Sequence, residues 1–345
     1  MKRIGKLSSL FLLMGLLFAL VDANAQNNVD AKGRKQGRWS KTYSDGKLKY
    51  EGEFKDDCEV GDFKYYNKDG SLKEKISYKS DCKTGYCEVY YRKGQIMSSG
   101  EYLDKKKNGV WSYYSVDGKL LSKETYKDGL KEGEETIWDT KGNVLEKINY
   151  KKGKKNGENY KYLYAEGFQT YTYVDDVKEG AYRNYYSDKQ PRIEGQYSSG
   201  KKNGVWTYTD QAKRKMRVQV WKADVLISDK IILRLRDKER GIAAEEIVCL
   251  YPLGKQTCVV LSNGEKLICF NSYDQILDCT DGNYLIRLNE KNNLYVNPNA
   301  VKSVKENTDG QAEVITEPKT DIKIIADKEG LKAVHSVLNK EKIGK

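Results

Sequence analysis

Glycine recurs along this chain at Gly37, Gly61, Gly85, Gly109, Gly133, Gly157, Gly180 and Gly204, in six steps of 24 residues and one of 23. Seventeen positions after seven of these glycines stands an aromatic residue: Phe54, Tyr78, Tyr102, Tyr126, Tyr150, Tyr197 or Trp221. In the short repeat, Tyr173 comes one place early. A period of this length means one supersecondary unit stacked many times, each copy burying its apolar face only against its neighbours. With 32% charged and 38% hydrophobic residues, the 345-residue chain has too little apolar material for one large core, and most of it should be thin and solvent-rich.

The repeat from Gly109 to Glu132 contains two strand-like runs flanking Asp117-Gly118. That pair reads as a two-residue hairpin turn with both central residues at positive φ. The same turn recurs at Asp45-Gly46, Asp69-Gly70, Lys93-Gly94 and Lys141-Gly142, and longer Gly/Lys/Asn links, such as 153–157 and 200–204, join one hairpin to the next. The expected fold is mainly β: an elongated antiparallel meander of about eight hairpin repeats, followed by a smaller β-rich C-terminal domain with short helices. Counting outward from the turn puts Trp111, Tyr113, Leu120 and Tyr126 on one face. Trp39, Phe63 and Trp206, with Leu48, Leu72, Ile96 and Val144, keep that face apolar in other copies. At ~4.8 Å per strand, eight repeats would extend ~75 Å.

The pattern Gly-x-Trp-x-x-Tyr-x-x-Asp-Gly-x-Leu, with a later aromatic and a Lys-Asn-Gly closing turn, resembles the bacterial variant of the MORN repeat over residues 33 to 221. Chains of this kind often carry the label of YwqK-like antitoxins. The resemblance implies an open β-meander used for binding or scaffolding, with membrane association in some relatives, and it does not imply an active site. The leader and the tyrosine-rich repeats also look like envelope proteins of Bacteroidota.

Lys2, Arg3 and Lys6 precede the apolar run 10–21, and Ala23-Asn24-Ala25 follows it. This reads as a secretory signal, 1–25, cleaved before Gln26; an uncleaved anchor is the alternative. The mature chain is then expected in the periplasm or at the cell surface, with no transmembrane span, and nucleic acid is not an expected partner. An antitoxin acting on a cytoplasmic toxin would lack such a leader. The formal charge is +12, and the leader removes three basic residues and one acidic residue. Residues 222–345 carry as many acidic as basic side chains, so the excess lies in the repeats. Lysines that solubilise hairpin tips and blunt sheet edges explain it; a binder of anionic lipid or glycan is the other reading.

Five residues after the repeat glycines lie Tyr90, Tyr114 and Trp138, and the count across the turn opposes them to Met97, Leu121 and Leu145. These six should form an apolar stripe on the face opposite the core, with the residue types that fill interface centres. The alternatives are that the C-terminal domain or a second copy covers the stripe, or that tyrosines merely suit strands.

After Trp221 the glycine stride stops. Residues 26–221 are thus assigned to the repeat domain, 222–338 to a C-terminal domain with signs of internal duplication, and 339–345 to a tail. Each half of the C-terminal domain should close on a helix, near 273–277 and 327–338. The segment 294–304 is loosely similar to the end of LytTR-type DNA-binding domains and to small FlbD-like flagellar proteins, and export argues against DNA binding. Counting outward from Asn263-Gly264 opposes Cys258 to Cys269, an expected disulfide in an oxidising compartment. Cys87 takes the phase of Trp111 and should be a buried thiol. Cys58 and Cys82, one repeat apart at about 10 Å, are too distant to bridge unless their loops move.

His335 is the sole histidine, which removes His-based triads and His metal clusters. The glycines mark turns, and none forms a phosphate-cradling loop between strand and helix. No catalytic residue, metal ligand or cofactor is assigned. The expected function is a non-catalytic exported scaffold for protein contact, with a lipid or glycan binder and a toxin-neutralising protein as alternatives.

Overall fold

The computed structural model describes residues 27–280, 284–306, 308, 311–317, 319–320 and 323–343. The expected leader, 1–25, lies outside them. A 21-stranded antiparallel meander is followed by a five-stranded and a three-stranded sheet and by two helices, Tyr273–Leu277 and Lys328–Ile343. The chain packs as two units, one ending at Asn156 and the other beginning at Gly157. The second unit therefore holds the last three repeats together with the C-terminal sheets.

In the first unit the aromatic ladder pairs with the repeat glycines: Gly37 with Phe54, Gly61 with Tyr78, Gly85 with Tyr102, Gly109 with Tyr126 and Gly133 with Tyr150. Except at Gly85, where the pairing is unbroken, glycine is needed at these points because the strand bulges. Glu53 opposes Val60, yet Glu51 opposes Lys64, and Gly61 absorbs the extra residues at φ +64°.

Two residues beyond the bulge, a ring swings over the preceding hairpin, where a second set of glycines makes room for it. A Cβ added at Gly52 would lie 2.5 Å from the Phe63 ring, and one at Gly100 would lie 2.4 Å from the Trp111 ring. Where the intruding residue is the smaller Cys87, the corresponding place holds Ile76, and the two pack together. Gly100→Val should therefore destabilise the first unit by at least about 1–3 kcal/mol, the usual range for overpacking. Thermal unfolding of the variant at an unchanged midpoint would refute this packing rule.

The turns are the reverse of the sequence expectation. At Asp117-Gly118 only the glycine has positive φ, +76°. The Gly118 N–H bonds the Ser115 carbonyl and the Ser115 N–H bonds the Lys119 carbonyl, so the tip is a longer loop with a bulge. The two-residue turns with both residues at positive φ lie instead at the links, as at Asp104 (+48°) and Lys105 (+63°) between the paired Leu103 and Lys106. From Tyr113 inward the register is the expected one, but at the tip Tyr114 pairs with Leu120 rather than Leu121. Leu120 thus meets Tyr114 and does not simply join the Trp111 face. Likewise Tyr90 pairs with Ile96, not Met97, and Trp138 with Val144, not Leu145.

The same turn chemistry overturns the expected Cys258–Cys269 disulfide. The Leu261 N–H bonds the Glu265 carbonyl across Asn263-Gly264, and no later bulge restores the register. Cys258 then pairs with Ile268 and Cys269 with Thr257, placing the two thiols on opposite faces, free and buried in different core clusters. The bond that does form is Cys58–Cys82, with Cα atoms 5.3 Å apart. Here the link before the third repeat is a longer loop closed by the Lys79 N–H to the Thr84 carbonyl, with Cys82 at φ +61°. Asp81 braces it by accepting the N–H groups of Thr84 and Lys83 and the Thr84 hydroxyl. The Thr84 amide, with these other donors, draws the Asp81 carboxyl down to about 2.

In the second unit Gly157 pairs with Tyr173, Gly180 with Tyr197 and Gly204 with Trp221, and Gly195 lies under Trp206. Beyond residue 224 one order of elements occurs twice: two strands, a single 3-10 turn, three strands and a helix. The first run goes from Val225–Arg234 to the helix Tyr273–Leu277, and the second from Ile286–Asn289 to the helix Lys328–Ile343. Two cores result. One centres on Leu233, Ile247, Leu250 and Ile276, and the other on Val248, Leu288, Val296 and Val334.

Candidate binding surfaces

The six stripe residues fall on three successive hairpins of the first unit. Tyr90, Tyr114, Leu121, Trp138 and Leu145 are half-buried, while Met97 is exposed at 37%. Met97, Leu121 and Leu145 are the residues the tip bulges leave without a directly paired partner, so they flank the aromatic row instead of standing opposite it. The Tyr90 hydroxyl donates to Glu88 at 2.8 Å, and burial together with that carboxylate pushes its pKa up to about 12. The ring is held in place without its hydroxyl being consumed by the core.

The face that carries Trp111 is not purely apolar. Lysine stands two residues before seven of the eight repeat glycines, Glu59 being the exception. Most of these lysines are not the solvated tips the composition suggests. In five of them the ammonium group lies over the aromatic residue that pairs with the same glycine: Lys35 over Phe54 at 4.6 Å, Lys107 over Tyr126 at 4.9 Å, Lys131 over Tyr150 at 4.9 Å, Lys178 over Tyr197 at 5.0 Å and Lys202 over Trp221 at 4.6 Å. Each such contact contributes on the order of 0.5–2 kcal/mol. The signal was present in the sequence as a third register of the same period.

Midway along this face a charged cluster replaces the large rings. Lys131 lies 3.0 Å from Glu124 and 2.9 Å from Glu135, and the Tyr126 hydroxyl donates to Glu124. Burial pushes the Glu124 carboxyl up, but hydrogen bonds from Tyr126, Lys131 and Tyr113 outweigh it and hold the group below its ordinary value. Burial likewise works against the Lys131 charge, and Glu135 and Glu124 more than offset it. Cys87 donates to Glu74 at 3.1 Å, and burial raises its thiol far above the usual range, so it is a poor nucleophile. His335 is exposed beside Glu306 at 3.2 Å. Among the described residues no group of three or more His, Cys, Asp or Glu side chains could hold a metal ion.

Among the described residues of the second unit, cavities of about 660 and 510 Å³ share Tyr208, Arg217 and Cys279. Their common wall is already satisfied internally: Arg217 pairs with Asp229, which also accepts from Gln219, and Gln219 in turn accepts from Tyr208 and Trp221. Among the described residues no helix is long and apolar enough to cross a membrane.

This geometry defines a β-hairpin repeat protein whose surfaces are suited to contact. Four of its repeats, residues 35–56, 59–80, 107–128 and 131–152, match the MORN repeat variant, a non-enzymatic repeat type whose members are generally protein- or lipid-binding. No curated protein matches the chain. Among solved structures, a LytTr DNA-binding domain of a response regulator from Bacillus cereus is similar at 14% identity and a TM-score of 0.27, over 32% of this chain and 95% of that one. A TcdB2-TccC3-Cdc42 structure is similar at 11% identity and a TM-score of 0.16, over 84% of this chain and 16% of that one. Similarity at these scores carries no functional argument.

Proposed function

We propose that this chain is an exported, non-catalytic scaffold that binds a partner protein through its third to fifth repeats. The observation that carries the reading is the row Tyr90, Tyr114 and Trp138, repeated at 24-residue intervals and half open, with the bulge residues Met97, Leu121 and Leu145 beside it. Aromatic and methionine side chains of this kind fill interface centres because they bury large areas with few rotatable bonds. Export is supported by the basic, apolar and small-residue order of positions 2–25 and by the Cys58–Cys82 disulfide, a bond that persists in oxidising compartments.

The test places a photo-crosslinking amino acid at exposed Met97 and compares envelope fractions from the otherwise unaltered chain with Tyr114→Lys plus Trp138→Lys. The crosslinked partner should fall by about tenfold or more in the double variant. Its yield should also persist at high salt, since apolar contact is not screened. An unchanged partner, or a product lost on adding salt, would remove this surface as a protein site; the second outcome would point to an anionic surface instead.

A further inference from the structure

The meander stops partway through a unit. Ser228 lies 24 residues after Gly204, and the strand Val225–Arg234 occupies the place of the strand Lys201–Thr209 one repeat later. Its inner edge pairs with the strand Lys215–Lys222 over 225–231, with a bulge at Ile227. Among the described residues its outer edge is paired only at 231–234, by the short strand Glu239–Ile242, after which the chain turns away through Ala244–Glu246. The backbone of 225–229 is therefore an open sheet edge. At the other end of the meander, residues 27–29 close the corresponding edge, with the Asn27 N–H on the Arg38 carbonyl and Asn28 opposite Gln36.

Elsewhere the residue three places before the bulge glycine lies against the next link, although Leu130 and Val177 stay 52% and 45% exposed there. Cys58 is bonded to Cys82, Leu130 packs on Gly153 and Val177 on Gly200. Val225 holds that place in the last, incomplete repeat, and no such link follows it. Val225, Leu226 and Ile227 are 60%, 43% and 59% exposed. A consecutive apolar run on an unpaired edge is what folded proteins normally avoid. The 660 Å³ cavity adjoins it, with Leu226, Ile227 and Ser228 on one side, Ala243 and Ala244 on another, and Lys202 also in its lining. The described residues give the half-buried Lys202 ammonium two ring faces, Trp206 and Trp221, and no carboxylate. The lining carries Lys202, Arg217 and Lys230 against Asp229 and Glu245, one basic side chain in excess.

We propose that the open edge at 225–229 takes an extended, acidic segment of a partner protein as the strand that completes the last repeat. Main-chain pairing gives the affinity, alternate apolar side chains cover Val225 and Ile227, and one carboxylate reaches Lys202. The proposal shares with the proposed function only the class of partner. The surfaces differ, so Tyr114→Lys plus Trp138→Lys should leave this binding unchanged.

The test is fluorescence anisotropy of the full chain with a labelled peptide Val-Glu-Val-Thr-Val, its Glu→Lys form and a form N-methylated at alternate residues. The first should bind saturably below about 1 mM, and the other two at least about tenfold more weakly. Ile227→Asp, an exposed position outside both cores, should abolish binding, and Lys202→Met should erase the preference for Glu over Lys. Absence of saturable binding, or equal binding of the N-methylated peptide, would overturn the proposal. So would self-association that Ile227→Asp removes, because a second copy would then be the occupant.

Discussion

Trp111→Ala should lower the stability of the first unit by about 3–5 kcal/mol, the range for deleting a buried large aromatic side chain. Trp111 is 1% exposed, its ring centroid lies 5.0 Å from that of Tyr102, its Nε1–H donates to the Glu101 carbonyl at 3.0 Å, and Lys107 sits 4.4 Å over it. Its removal opens a void above Gly100, which has no side chain to fill it. It also leaves the half-buried Lys107, whose pKa burial already depresses, with one ring fewer. Amide exchange within 85–127 should then quicken by about two to three powers of ten, while amides in the second unit keep their protection. Gly100→Ala in the Trp111→Ala background should recover part of the loss by filling that void. Unchanged exchange in the single variant would mean that neighbouring hairpins carry the unit without this ring.

Loss of the Cys58–Cys82 bond should destabilise the same unit by about 3 kcal/mol, the chain-entropy value for a loop of some 25 residues. The bond links a strand start to a link loop one repeat later, a separation of 24 residues, at a place where other repeats rely on an apolar contact. Cys58→Ser, Cys82→Ser and the double variant should be equally affected, because each breaks the same crosslink. Alkylation of the unfolded chain without reductant should label five thiols, and after reduction seven, with residues 58 and 82 the pair that changes. Labelling at Cys258 or Cys269 that depends on reductant would contradict the register of the hairpin at Asn263-Gly264.

Much of the repeat architecture was legible because a 24-residue period constrains every copy at once. The glycine and aromatic registers predict pairs such as Gly109 with Tyr126, and the hairpins form with that register inward from Tyr113. The misreadings share one physical source. Asp-Gly is compatible both with a two-residue turn and with a longer tip in which only glycine adopts positive φ, and the two differ by one residue in register. In the repeats a bulge at Leu121 absorbs that residue, so only the tip moved. At Asn263-Gly264 nothing absorbs it, so Cys258 and Cys269 parted to opposite faces. The lysine register was present in the chain but concealed by the expectation that lysines are solvated; its role emerges only when the ammonium groups are seen over rings. Cys58–Cys82 depended on the shape of one longer loop, which no periodic count contains.

From residue order alone followed the class of fold, the phase of the glycines and rings, and the place where the regular stride ends, because these repeat and every copy votes for them. Turn type, the partner of each cysteine, the glycine seats beneath Phe63, Trp111 and Trp206, and the uncovered edge at 225–229 came from the folded chain. Each is a one-residue or few-ångström matter, settled by which neighbouring strand lies alongside, and the strand alongside is defined only once the sheet has formed.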